Sequence, residues 1–275
     1  MTAMSHASPE RALVSQWRLA FRDVVEGLRA HRVWSRLARM DIKQRYRRSI
    51  LGPFWITITM IVFIAAVGPL YGVLLGIPTS AFLPYVAMGL ISWGLVSTLI
   101  LEGTTTFLGA EDLVRSVKLP FTVHVMRMLY RNLIMFAHNL LAFVPFMLYL
   151  RVWPHWQWLM AIPGVALILM AALPAAFLLG TVCARYRDMQ QIVASLVQLS
   201  FFVTPIFWKP ELLKSRQYLA DYNPFHLLLE SVRGPVVGEI PSAITYVKIV
   251  VIILVLYIAA TPFFVRYRRR LSFWV

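Results

Sequence analysis

Arg32, Arg36, Arg39, Lys43 and Arg47 recur every three or four residues, so a helix wound over residues 32–47 carries them on one narrow stripe. Val33, Trp34, Leu37 and Met40 fall on the flank beside it. Cations next to large apolar groups are drawn to phosphate headgroups and settle in their layer, so this segment is expected to be an amphipathic interfacial helix. His226, Glu230 and Arg233 are a second chemically capable set, spaced i, i+4 and i+7 on one face of a short helix opened by Asn223-Pro224. A paired short-helix unit carrying such a face would serve as an external gate at a pore mouth. These residues are thin material for a catalytic site, since a membrane enzyme needs a base or metal site and only scattered Asp221, Glu230 and His226 are on offer. His138-Asn139, inside an apolar run, could relay protons; an interhelical hydrogen bond is the plainer use of such a pair.

These sets must be positioned by helices that cross a membrane. The 275 residues are 59% hydrophobic and only 14% charged, against about one quarter charged in soluble domains, and several apolar runs reach the roughly 20 residues a span requires. Six spans are expected, near residues 54–76, 81–101, 132–150, 158–183, 191–207 and 246–265, the fifth being short and interrupted by Gln198 and Pro205. The net charge of +15 is then a matter of headgroups and loops, not of nucleic acid. Basic clusters alternate with uncharged or balanced loops. Residues 1–53, the loop with Arg115, Lys118, Arg127 and Arg131, the Arg185/Arg187 turn and the Arg266–Arg270 tail all fall on one side. Both termini are therefore expected in the cytoplasm, and residues 1–53 and 54–270 form a cytoplasmic region and a membrane domain. Cys183 excludes a disulfide within the chain, and its place at the end of a span suggests packing.

Chemistry-bearing motifs are missing elsewhere. The sequence has no Gly-x-x-x-x-Gly-Lys-Ser/Thr phosphate loop, no metal-ligand cluster and no nucleophile motif. Directional work would need energy from another chain.

Ahead of the interfacial segment, Ser8-Pro9-Glu10 starts a helix in which Leu13, Trp17, Phe21, Val24 and Leu28 oppose Arg11, Arg18, Arg22, Glu26 and Arg29. Gly52-Pro53 is expected to end the interfacial helix. In the loop 102–120, Leu108, Leu113, Val114 and Val117 with Arg115 suit a short helix that docks on a partner or simply packs on its own spans. Residues 204–241 carry two short helices, one opened at Trp208-Lys209-Pro210, the other at Asn223-Pro224 and closed by Gly234-Pro235. About ten residues cannot cross a bilayer, so this pair re-enters or rests at the outer interface, as a gate or a shield. Trp153, Trp156 and Trp158 read as an interfacial belt, while Phe201, Phe202, Phe207 and Tyr246 are candidate pore aromatics, or lipid-facing and core residues.

Four stretches in this order carry a family resemblance: Asp41-Ile-Lys-Gln-Arg-Tyr-Arg-Arg-Ser-Ile-Leu-Gly-Pro-Phe-Trp55, Val117-Lys-Leu-Pro120, Thr204-Pro-Ile-Phe-Trp208, and Asn223-Pro-Phe225 with Arg233. They resemble the permease subunit of bacterial type-2 ABC polysaccharide exporters, which move O-antigen, capsule and teichoic-acid chains. The resemblance implies an all-α membrane fold, a homodimer with a pore between the two copies, and two copies of a separate ATPase that binds ATP and magnesium. It places the interfacial helix at residues 32–49, the coupling helix within 103–117 and external gate helices within 208–234. Its cargo would be a lipid-linked polysaccharide crossing the bacterial inner membrane. Exporters of smaller lipids or drugs share the scaffold. A membrane glycan-processing enzyme and a non-transporting scaffold are the rival classes.

Overall fold

The computed structural model describes residues 9–275, with side chains described from residue 16 onward except at positions 112, 114 and 115. The Ser8 cap and the side chains of Arg11, Leu13, Val114 and Arg115 lie outside the described residues. Helices joined by turns and short irregular segments make up the described chain: α1 Pro9–Arg29, α2 His31–Arg45, α3 Phe54–Leu75, α4 Thr79–Thr105, α5 Glu111–Ser116, α6 Phe121–Leu140, α7 Val144–Leu150, α8 Ala161–Arg185, α9 Met189–Val203, α10 Tyr218–Asp221, α11 Pro224–Val237 and α12 Ala243–Trp274.

Among the described residues, five stretches are long and apolar enough to cross a membrane: Phe54–Leu75, Thr79–Thr105, Phe121–Leu150, Trp156–Arg185 and Ala243–Trp274. The expected fifth of six spans is shorter than read. Helix α9 has 15 residues, about 22 Å, because Thr204 turns extended ahead of Pro205. The expected third span starts earlier, at Phe121, so Arg127 and Arg131 are helical residues of α6 and not loop cations. Two acids neutralise them, as described below, which lets the helix carry them into the bundle.

Helix α4 is the hub. Its apolar window is 78% buried, against 17% for α3 and for α12, and it touches α3, α6, α8, α9 and α11. Small residues make the closest approaches. Gly103 lies on Ala176, and a Cβ at Gly180 would stand 3.0 Å from the Phe107 ring. Cys183 is buried, in keeping with a packing role. Helix α3 carries no charge and ends at Gly76, whose φ of +66° lets the Ile77 amide reach the Gly72 carbonyl at 2.9 Å.

Two expected helix ends move. Helix α2 stops at Arg45, which leaves Arg47 in the following turn, and Gly52-Pro53 instead begins α3. Helix α11 runs through Gly234-Pro235 to Val237 and ends at Gly238, at φ +96°, with Glu239 N–H on the Gly234 carbonyl at 2.8 Å. Pro235 has no N–H for the Ser231 carbonyl, and that carbonyl lies against α8 at Gly164. A Cβ at Gly164 would sit 2.2 Å from the Ser231 oxygen, which is backbone and cannot step aside. Gly164→Ala is therefore expected to force α8 and α11 apart and destabilise the fold by about 1–3 kcal/mol, read as a lowered melting temperature in detergent.

Candidate functional site

At one end of the bundle, hereafter the basic end, α1, α2, α5 and the tail of α12 meet the start of α6. Asp41 of α2 takes a bidentate pair from Arg127 and a further bond of 2.6 Å from Arg131 Nη1. Arg131 Nη2 donates at 2.7 Å to Glu102 near the end of α4, and Glu102 also accepts from Asn132 at 2.6 Å and Arg45 at 3.2 Å. Trp34 packs edge-on to Tyr130, and Ala38 is fully buried between them in sequence and Asp41. The interfacial segment is thus tied to α4 and α6 by its Trp34/Ala38/Asp41/Arg45 face. Arg32, Arg36, Arg39 and Lys43 stay outside these pairs, although Arg39 also bonds its own helix through the Ser35 carbonyl.

Asp23 of α1 does more. Its side chain is 0% exposed and accepts from the Phe121 amide at 3.1 Å, the Thr122 amide at 3.0 Å and the Thr122 hydroxyl at 2.9 Å. It therefore caps α6 from another helix, where Pro120 itself supplies no cap. Arg268 of α12 completes the ion pair at 2.8 Å. Gly27 allows the approach, since a Cβ there would stand 2.3 Å from Thr122 Cβ. Helix α1 thus buries Ala20, Asp23 and Gly27, while Trp17, Phe21 and Leu28 remain exposed as a membrane-seeking edge.

Between α4 and α6 the chain makes a 3-10 turn at Leu108–Ala110 and then α5. Leu108 and Leu113 are half-buried, and Val117 is extended and 46% exposed. The short helix expected here exists, and it is followed at once by the capped start of α6.

At the opposite end the chain leaves α9, turns at residues 204–208 and folds back through Pro210–Arg216 and α10. Asn223 caps α11 by accepting from the Phe225 and His226 amides at 2.9 and 3.3 Å, and its Nδ2 donates to Thr204 Oγ1 at 3.2 Å. Phe225 packs edge-on to Trp93, halfway down α4, so the α10–α11 turn reaches the middle of the bundle. Arg233, 1% exposed, anchors the hairpin. It grips Glu230 through Nε and Nη2 at 3.0 and 2.5 Å, donates Nη1 to the Pro205 carbonyl at 2.7 Å, and stacks 3.8 Å from the Tyr85 ring. The Tyr85 hydroxyl in turn donates to the Trp208 carbonyl at 3.1 Å. His226 shares the helix but not the clasp: its Nδ1 is buried without a partner.

Burial holds the His226 imidazole below its ordinary value, with Arg233 pushing the same way and Glu230, Asp221 and Glu211 opposing. The unfolded chain then binds the proton at a higher pH than the folded one. Stability is full above the unfolded value near 6.5 and is lost as pH falls below it toward the folded value. Melting in detergent from pH 7.5 down to 5.5 should show this loss, and His226→Phe should flatten it.

Of the candidate aromatics, Phe201 joins Phe202, Phe207 and Trp93, and Phe207 stacks on Tyr71 at 5.2 Å. Tyr246, on α12, is not part of that ring cluster, and Phe202 is the member turned outward, at 66% exposed.

Residues 32–237 match the family described as ABC-2 type transporter. This chain belongs to that family. The permease is also similar to a Myxococcus xanthus protein named O-antigen export system permease protein RfbA, 30% identical over 209 residues that cover 71% of this chain and 76% of the relative. A Klebsiella pneumoniae protein of the same name is 19% identical over 199 residues, covering 72% and 77%. The permease is a transport subunit and not an enzyme, and membership implies an ATPase partner.

The matched region spans α2 to α11 and so holds both the Asp41/Glu102 network and the Arg233 clasp. Sequence reading placed Asn223, His226, Glu230 and Arg233 on one short helix of the permease, and the structure joins Glu230 and Arg233 directly. It missed Tyr85, Asp23, Asp41 and Glu102 as partners. The available signal was small: Asp41 is the single acid of α2, and Asp23 lies on the α1 face that carries the small residues Ala20 and Gly27.

Proposed function

We propose that this permease works as a homodimer with two copies of a separate ATPase and exports a lipid-linked polysaccharide across a bacterial inner membrane. The observation that carries the reading is the membership in the ABC-2 type transporter family, joined to relatives named as O-antigen export permeases. Both basic segments, at α2 and at Arg266–Arg270, belong in the cytoplasm by their charge, which calls for an even number of crossings. Helix α9 with the irregular 204–208 segment would supply the sixth, and the α10–α11 hairpin would re-enter from the outer side as a gate. Nucleotide and magnesium would be bound by the ATPase, with this chain contributing mechanical linkage.

The linkage has a physical route. Helix α5 stands immediately before the α6 start that Asp23 clamps, and α6 is held to α2 through Asp41. A push on α5 by the ATPase would move α6 and α2 together, and α2 leads directly into α3. The exposed faces of α3 and α9, including Phe202, would then part or close around the cargo; aromatic faces suit a sliding sugar chain because they stack without fixing one pose.

The first test is purification from native membranes. An ATPase retained at one copy per permease is expected, and so is loss of surface glycan, with its lipid-linked precursor held inside, when the permease is removed. Normal surface glycan in such cells would sink the cargo reading. Leu113→Asp with Val117→Asp should leave the permease folded and inserted but reduce ATPase retention and export by about tenfold or more. Unchanged export would remove α5 from the coupling role.

A further inference from the structure

The last turns of α8 and α12 form a cleft of about 300 Å³ at the basic end, with Thr181, Arg185, Tyr186, Tyr267, Arg270 and Trp274 among its walls. Among the described residues no Asp or Glu side chain lines it. The Arg185 guanidinium lies 5.5 Å from the Trp274 ring and 5.8 Å from the Tyr186 ring, and Tyr267 and Trp274 are 5.6 Å apart. Among the described residues neither Arg185 nor Arg270 has an ion pair. Two uncompensated guanidiniums framed by interfacial aromatics are complementary to a phosphate at the membrane boundary.

From the cleft both helices run on toward the middle of the bundle. Phe263, Tyr267, Arg270 and Trp274 lie on one face of α12 at helical spacing, and Leu256 and Ile252 continue that face toward the bundle's middle. On α8, Arg185, Val182, Leu178, Ala175 and Ala172 do the same. Those upper residues line a second cavity of about 290 Å³, wholly apolar and bounded by Pro224, Phe225 and Leu228 at the start of α11. The run from Arg185 to Ala172 covers about 20 Å along α8, which matches an extended fatty acyl chain.

We propose that this groove binds one anionic phospholipid from the leaflet at the basic end. Its phosphate occupies the Arg185/Arg270 cleft, and one acyl chain follows the shared α8–α12 face into the apolar cavity beneath α11. The charge complementarity of the cleft selects an anionic lipid, and the apolar continuation selects a lipid over a free phosphate. The chain end would lie against Pro224 and Phe225, so occupancy would support the base of the hairpin.

The test uses the full chain in phosphatidylcholine nanodiscs titrated with phosphatidylglycerol, with lipid retention read by native mass spectrometry. Phosphatidylglycerol should be retained in preference to phosphatidylcholine, and soluble glycerol phosphate should not displace it. Arg185→Gln with Arg270→Gln should lower retention by about tenfold, whereas Lys214→Gln with Arg216→Gln, the same charge change at exposed positions of the opposite end, should not. Ala175→Phe, which fills the groove, should lower it as well; if that variant does not fold, the arginine pair decides. Equal retention of both lipids, an equal loss in the Lys214/Arg216 variant, or full displacement by glycerol phosphate would each overturn the site. Recovery of a polyprenyl phosphate alone from native membranes would also overturn it, by making the groove a cargo site.

Discussion

Arg233→Ala is expected to cost about 3–5 kcal/mol and to loosen the α9–α11 hairpin from α4. The side chain is buried to 1% exposure and holds four partners at once: Glu230, the Pro205 carbonyl, the Tyr85 ring and, through that tyrosine, the turn at Trp208. Truncation leaves the Glu230 carboxylate, 21% exposed, without its cation and the buried Pro205 carbonyl with one donor fewer. Arg233→Lys should recover little, since an ammonium cannot fork onto Glu230 while donating to Pro205 and stacking on Tyr85. Two measurements check this. Melting in detergent should fall sharply in both variants, and protease should cut the 209–217 segment faster. Wild-type cleavage rates in Arg233→Ala would show that the clasp is not what holds the hairpin. Glu230→Gln offers a contrast: it keeps an acceptor for the guanidinium and should be milder, by the difference between a charged and a neutral hydrogen bond.

Asp23→Ala is the second large effect, expected at about 3–5 kcal/mol. One carboxylate, fully shielded from solvent, satisfies two amides and a hydroxyl at the start of α6 and neutralises Arg268. Removing it strips the cap from α6 and leaves a partly buried guanidinium unpaired. The consequence should be local first. Amides at residues 121–124 should exchange hydrogen faster, α1 should become accessible to protease, and coupling through α5 should fall because α6 has lost its fixed start. Asp23→Asn retains an acceptor for one amide and should fall between Ala and the native protein. If Asp23→Ala melts with the native chain and its α6 amides stay protected, the carboxylate is a bystander and α1 is held by its apolar contacts alone.

The Asp23 and Asp41 contacts also explain why a chain with net charge +15 folds its basic end without flying apart. Twelve acids face twenty-seven cations, and three acids at this end form junctions between helices: Asp23 joins α1, α6 and α12, Asp41 joins α2 and α6, and Glu102 joins α4 to both. Arg32, Arg36 and Lys43 of α2 stay outside these junctions, in position for headgroups or for an acidic partner surface.

The sequence by itself determined the class of molecule and much of its local structure. Apolar runs of span length demanded a membrane; the cation stripe of α2 marked the basic end; Asn223-Pro224 specified where α11 starts, since an Asn cap and a first-turn proline act within four residues. Such features depend on near neighbours and can be read by periodicity. Only the tertiary structure decided what the acids do. Asp41 and Arg131 are separated by 90 positions and Asp23 and Arg268 by 245, and no spacing rule connects them. It also decided where helices end. The Gly234-Pro235 pair reads as a stop, yet α11 continues because the Ser231 carbonyl that Pro235 leaves without a donor is accommodated against Gly164, a residue of another helix. Helix α9 ends early for a local reason, Pro205, but its consequence is tertiary: the freed Pro205 carbonyl becomes the acceptor that Arg233 needs.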